Sequence, residues 1–237
     1  MKANKIIQHK IGHPYWGYIH LSILLILFTA ILSFLNTEVF YPYFNGYAPL
    51  LSVALIFFVG GITLFYLQSK KGFILFNKKS FKGWIDEVLI AVLLATLIIM
   101  VDCAVVFPKN TNVLPPISLL FYPVMGLVAD IIFHLLPLSL LLFVLTFLFP
   151  KTNHDRIVWI SIVIVSFIEP VYQVLFFPTN LYPHLVMTYL GVHIFVISFY
   201  QLVIFKRADF ISMYAFRLVY YLLWHIIWGH VRLELLF

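Results

Sequence analysis

Polar and apolar positions alternate along this chain in blocks of about twenty residues, the length of a membrane crossing, not with the short period of a water-soluble helix or strand. Almost wholly apolar runs extend from Tyr18 to Leu35, Tyr47 to Leu67, Ile85 to Phe107, Ile117 to Phe149, Ile157 to Phe177, His184 to Phe205 and Phe210 to Leu233. A helix rises ~1.5 Å per residue, so such runs are long enough to cross a hydrocarbon core of roughly 30 Å. The pattern predicts an all-α fold, a polytopic transmembrane helical bundle, read as a single integral membrane domain over residues 1–237. The fourth run is too long for one upright helix and contains Pro123 and Pro137. Proline removes a backbone donor and kinks or ends a helix, so this run is expected either to kink or to form two segments with a re-entrant turn. The count is therefore seven or eight helices.

Composition supports the membrane reading: 63% of residues are hydrophobic and 10% charged, far from the balance of a soluble domain. The first apolar run follows a basic lead and lacks a small-residue cleavage site, so it is expected to be the first helix and not a removable signal. Cys103 is the sole cysteine, which excludes an intrachain disulfide. The net charge of +6 would suggest nucleic acid in a soluble protein. Here the basic residues fall in short connections between apolar runs, so the partner they indicate is the lipid bilayer. Lys2, Lys5 and Lys10 precede the first run, and Lys70, Lys71, Lys78, Lys79 and Lys82 follow the second. Lys151 and Arg156 follow the fourth, Lys206 and Arg207 the sixth, and the alternate connections hold only Lys109. By the positive-inside rule the N-terminus is expected in the cytoplasm. The longest connection, QSKKGFILFNKKSFKGW, mixes lysines and aromatics in a way that suits a segment lying on the membrane surface.

Ionisable residues inside apolar runs are expensive and usually functional. Asp130 and His134 lie in the fourth run, Glu169 and Gln173 in the fifth, His193 in the sixth, and Arg217 and His225 in the last. Asp130/His134 and Glu169/Gln173 are spaced i, i+4, and Arg217, Tyr221 and His225 form an i, i+4, i+8 row, so three helices each present a polar stripe. Turning the stripes inward would pair Arg217 with Glu169 or Asp130 in one polar chamber. Asp102, beside Pro108 and Lys109, is expected at the membrane interface. His193 is expected to be a packing histidine, and His230, Arg232 and Glu234 to reach the headgroups. A buried carboxylate can act as general base toward water, and a histidine, arginine or amide can steady an oxyanion. Two histidines with one or two carboxylates are also a ligand set for zinc; neither the HExxH nor the GxSxG spacing occurs.

The order of these features resembles the CPBP family, the CAAX-processing and bacteriocin-processing (Abi) intramembrane proteases. That family carries EExxFR on one helix, phenylalanine four residues before histidine on the next, and histidine four residues before asparagine on a later one. Here ADIIFH, SFIEPVYQ and HIIWG occupy these places, and YLGVHIFVISFYQLVIFKRADF resembles a glycine-containing span with a basic exit. The resemblance runs from about Pro123 to Gly229. It implies an endopeptidase acting on a membrane-associated or prenylated peptide, with water activated by the paired glutamates. Ala129 and Asp130 stand at those glutamates and His134 at the arginine. Glu169 and Gln173 stand at the phenylalanine and histidine, His225 at the last histidine, and Gly229 at the asparagine. The candidate catalytic set is Asp130, His134, Glu169, Gln173 and His225, in an active or an inactive member. The alternatives are a non-catalytic membrane assembly protein and a transporter of protons or a small solute.

Overall fold

The computed structural model describes residues 2–77, 83–176 and 183–237, with no side-chain detail for residues 2–14, 70 and 176. Seven helices in it are long and apolar enough to cross a membrane. They are α1 (Lys2–Leu35), α2 (Pro49–Lys71), α3 (Trp84–Val105), α4 (Ile117–Leu148), α5 (His154–Leu175), α6 (His184–Arg207) and α7 (Phe210–Leu235). The protein is a multi-pass membrane protein whose outer faces carry exposed apolar side chains such as Phe34, Phe58, Ile85 and Phe147. The predicted end of the fifth run at Phe177, and Lys78, Lys79 and Lys82, lie outside the described residues.

The fourth run is one helix, so among the described residues the smaller of the two expected counts holds. At ~1.5 Å per residue α4 is about 48 Å long, and it departs from α-helical geometry in its middle: residues Asp130–Leu135 form a π turn. Pro137, two residues further on, explains why. Its ring would strike the carbonyl four residues back in an α-helix, and the wider i→i+5 turn moves that carbonyl aside. α5 breaks between Val165 and Ile168, where Phe167 N–H turns back to the Ile164 carbonyl at 3.2 Å. Pro170 lacks the N–H that would continue the ladder. α7 contains a second π turn, Leu222–Trp228.

The first half of α4 packs against α1, α3 against α7, and the second half of α5 against α6, which also packs on α7. Gly60 on α2 lets that helix close on the π turn of α4: a methyl there would lie 2.5 Å from Ile131 Cδ1. The start of α7 is fixed by Asp209, whose Oδ1 accepts the Ser212 N–H at 2.7 Å and whose Oδ2 accepts the Asn77 N–H at 2.9 Å. Residues 72–77 run beside it, Phe210 N–H donating to the Ile74 carbonyl at 3.0 Å. Phe73 and Leu75 are buried while Ile74 and Phe76 are exposed, so this part of the long connection is anchored to α7 by alternate residues.

At the opposite end Asp102 and Arg232 are fully buried against each other, so Arg232 does not reach out to the headgroups as expected. Arg232 Nε donates to Asp102 Oδ2 at 2.6 Å and Nη2 to Oδ1 at 2.8 Å. Trp228 Nε1 adds a 2.7 Å bond to Oδ2, and Arg232 also caps the carbonyls of Phe107 and Pro108. Helix α3 ends at Val105, and the guanidinium satisfies carbonyls of the connection that follows it. His230 and Glu234 are exposed, as their place near the chain end suggested. Removing one partner strands a buried charge, so Arg232→Met should lower stability in detergent by about 3–5 kcal/mol. Adding Asp102→Leu should recover part of that loss; equal thermal midpoints for the native chain and Arg232→Met would show that the pair is not holding this end.

A buried ionic centre as the candidate functional site

The three irregular helices meet where their polar residues lie. Asp130 and His134 project from the π turn of α4, Glu169 follows the break in α5, and Arg217 sits two turns into α7, all fully or almost fully buried. Arg217 joins them. Its Nε donates to Asp130 Oδ1 at 2.7 Å, Nη1 to Glu169 Oε1 at 3.0 Å and Nη2 to Glu169 Oε2 at 3.0 Å. The Glu169 contact is the bidentate fork that guanidinium geometry favours. Nη1 also donates to the Tyr221 hydroxyl at 3.1 Å, and Nη2 lies 3.4 Å from His134 Nδ1.

α6 completes the centre with two residues that carry no charge. Ser198 donates to Glu169 Oε2 at 3.1 Å and Gln201 Nε2 to Asp130 Oδ1 at 3.1 Å. Both are fully buried. Sequence reasoning missed them because a serine and a glutamine in an apolar helix are unremarkable alone; their spacing of three residues, which puts them on one face, was the available signal. Gln173 Nε2 donates to Glu169 Oε1 at 3.3 Å from the next turn of α5. Four of the candidate catalytic residues, Asp130, His134, Glu169 and Gln173, therefore come together, and Arg217 pairs with both carboxylates.

His225 does not join them. It lies two turns beyond Arg217 on α7, with the Tyr221 ring edge-on against it at 4.8 Å and the Tyr122 ring stacked at 4.5 Å. Its Nδ1 is 2.7 Å from Asn112 Oδ1. An amide oxygen only accepts, so Nδ1 carries the proton and Nε2 keeps its lone pair. Asn112, from the connection before α4, fits here because residue 229 is glycine: a methyl on Gly229 would lie 2.8 Å from Asn112 Cβ. Asn112 too escaped the sequence reading, since nothing local links it to α7. His193 is a packing histidine, buried and 3.2 Å from the Tyr220 hydroxyl.

Every oxygen of Glu169 is engaged, but the centre is not saturated. Asp130 Oδ2, His134 Nε2 and Gln201 Oε1 are buried without a hydrogen-bond partner among the described residues, although Nε2 comes within 3.5 Å of Glu169 Oε2. A buried polar group left unpaired costs about 1–3 kcal/mol, so three in one place demand an explanation. Arg217 occupies the position between the carboxylates that a cation would take. Among the described residues no three His, Cys, Asp or Glu side chains form a group that could hold a metal ion.

No protein-family model, no curated protein and no solved structure matches the chain. The centre therefore has to be understood from its own chemistry. Arg217 is its keystone: Arg217→Met should destabilise the protein by about 3–5 kcal/mol, since two carboxylates lose their counter-charge in an apolar interior. Arg217→Lys should recover only part of this, because one ammonium cannot reproduce the fork. Unfolding in detergent monitored by circular dichroism measures both; equal stability of Arg217→Met and the native chain would overturn the keystone role.

Proposed function

We propose that this chain is a divergent intramembrane hydrolase with the layout of the CPBP proteases, cleaving a peptide bond in a membrane-embedded or prenylated peptide. The observation that carries the reading is the half-free carboxylate of Asp130. Oδ1 is held by Arg217 and Gln201, while Oδ2 is buried and unpaired among the described residues, as a general base must be to receive a proton. It lies in a π turn, a departure from helical geometry that recurs at functional sites. Glu169 supplies from α5 the second carboxylate that Ala129 does not provide on α4.

In this reading Asp130 Oδ2 takes a proton from water as the water oxygen attacks the scissile carbonyl carbon. The carbon–nitrogen bond then breaks and the proton passes to the departing amine. His134 Nε2 holds the attacking oxygen, and Arg217 keeps the negative charge of the centre compensated throughout. Gln173, half-buried beside Glu169, and His225, with its free Nε2 lone pair between Tyr122 and Tyr221, contact the peptide and not the water.

A non-catalytic role in helix assembly is the second reading, and one observation favours it: Arg217 ties α4, α5 and α7 together with no guanidinium nitrogen left over. The two readings differ in one experiment. The purified chain in lipid vesicles is given a prenylated peptide and a single-span peptide, and products are read by mass spectrometry. Hydrolysis should occur and Asp130→Asn should lower kcat by at least ~100-fold. Intact peptides with the native chain, or full activity in Asp130→Asn, would overturn the hydrolase.

A further inference from the structure

The unpaired atoms of the centre form a pattern. Each belongs to a fully buried side chain that touches Asp130 Oδ1 or carries it: Asp130 itself, His134 through Nδ1 at 3.4 Å, and Gln201 through Nε2 at 3.1 Å. Asp130 Oδ2 and Gln201 Oε1 can only accept. His134 can do either, and its neighbours decide which. Arg217 Nη2, 3.4 Å from Nδ1, only donates, and Glu169 Oε2, 3.5 Å from Nε2, only accepts. Both contacts favour the tautomer with the proton on Nε2, against the single opposing contact of Nδ1 with Asp130 Oδ1. The unpaired set is then two acceptors and one donor.

We infer that Asp130, His134 and Gln201 bound an internal site for one water molecule between α4 and α6, in which Gln201 is a positioning residue. Water has two protons to give and lone pairs to accept, so it complements this set: it donates to Asp130 Oδ2 and Gln201 Oε1 and accepts from His134 Nε2. Buried waters characteristically make about three such bonds. An ammonium ion, which only donates, would leave the Nε2 proton unmet. Gln201 acts at both ends of its amide. Nε2 fixes Asp130 Oδ1, so that the other oxygen is the free one, and Oε1 fixes the direction of the water. The site stands on its own geometry; its part in hydrolysis rests on the reading above.

The test joins a structure to kinetics. A map of the native chain at about 2 Å resolution should show ordered density within hydrogen-bond reach of Asp130 Oδ2 and Gln201 Oε1. Gln201→Met, similar in length but without the amide, should lose that density. With the peptide substrates above it should lower kcat on the order of 100-fold with little change in KM, a split that a general loss of folding would not give. No density in the native map, or an unchanged kcat in Gln201→Met, overturns the inference, and the native map decides it even if the variant does not fold. Density that persists in an otherwise intact Gln201→Met also overturns it. Density in the native chain together with no peptide cleavage supports the water site and overturns the hydrolase instead.

Discussion

The structure turns on one guanidinium in an apolar interior. Arg217 is the only arginine or lysine paired with Asp130 and Glu169 among the described residues, and it meets them from a third helix. A charge this deep is tolerated only when paired and hydrogen-bonded, so the positions of α4, α5 and α7 depend on one another. Moving any of them away from Arg217 would leave charges unpaired where water is scarce. Apolar packing between helices is weakly directional in a bilayer, because lipid is as apolar as the side chains it would replace. The ionic centre supplies the direction.

The helices that reach this centre are the ones that do not follow ideal geometry. α4 and α7 each contain a π turn, and α5 is broken ahead of Pro170. In α4 the cause is Pro137, whose ring is incompatible with a tight turn, and the consequence is that Asp130 and His134 stand on a widened turn facing α6 and α7. In α5 the consequence is that Glu169 starts a short helix directed at Arg217. Regular α6 adds the neutral partners, Ser198 and Gln201, that hold one oxygen of each carboxylate without adding charge.

A second polar assembly closes the end of the bundle where α3 stops and α7 finishes. Asp102, Arg232 and Trp228 form its core, and Asn112 and His225 lie beside it. Gly229 matters to the Asn112–His225 pair, since it is the missing side chain that lets the connection before α4 press Asn112 onto α7. His225 is held by that connection and not by the carboxylates, and Tyr221 is the side chain that stands between the two groups: its hydroxyl meets Arg217 and its ring meets His225.

The sequence by itself determined the environment, the helical class and six of the seven crossings without ambiguity, because twenty-residue apolar runs have few other physical uses. It also determined which polar residues share a helix face, since i, i+4 spacing is a property of the helix alone, and so Arg217 could be matched with Glu169 or Asp130 before any coordinates. Tertiary structure decided the rest. Whether the fourth run turned back or passed through depended on how a π turn absorbs Pro137, which the residue pattern does not encode. Arg232 looked exposed because it lies near the end of its run; only its meeting with Asp102, 130 residues away in the chain, makes its burial favourable. His225 looked like a member of the carboxylate centre because it continues the Arg217 stripe, and the bond to Asn112 holds it elsewhere. Asn112 was invisible for the same reason: its partner is on another helix, and a hydrogen bond between distant segments leaves no trace in local spacing, whereas Gln201 was marked only by its place on one face with Ser198.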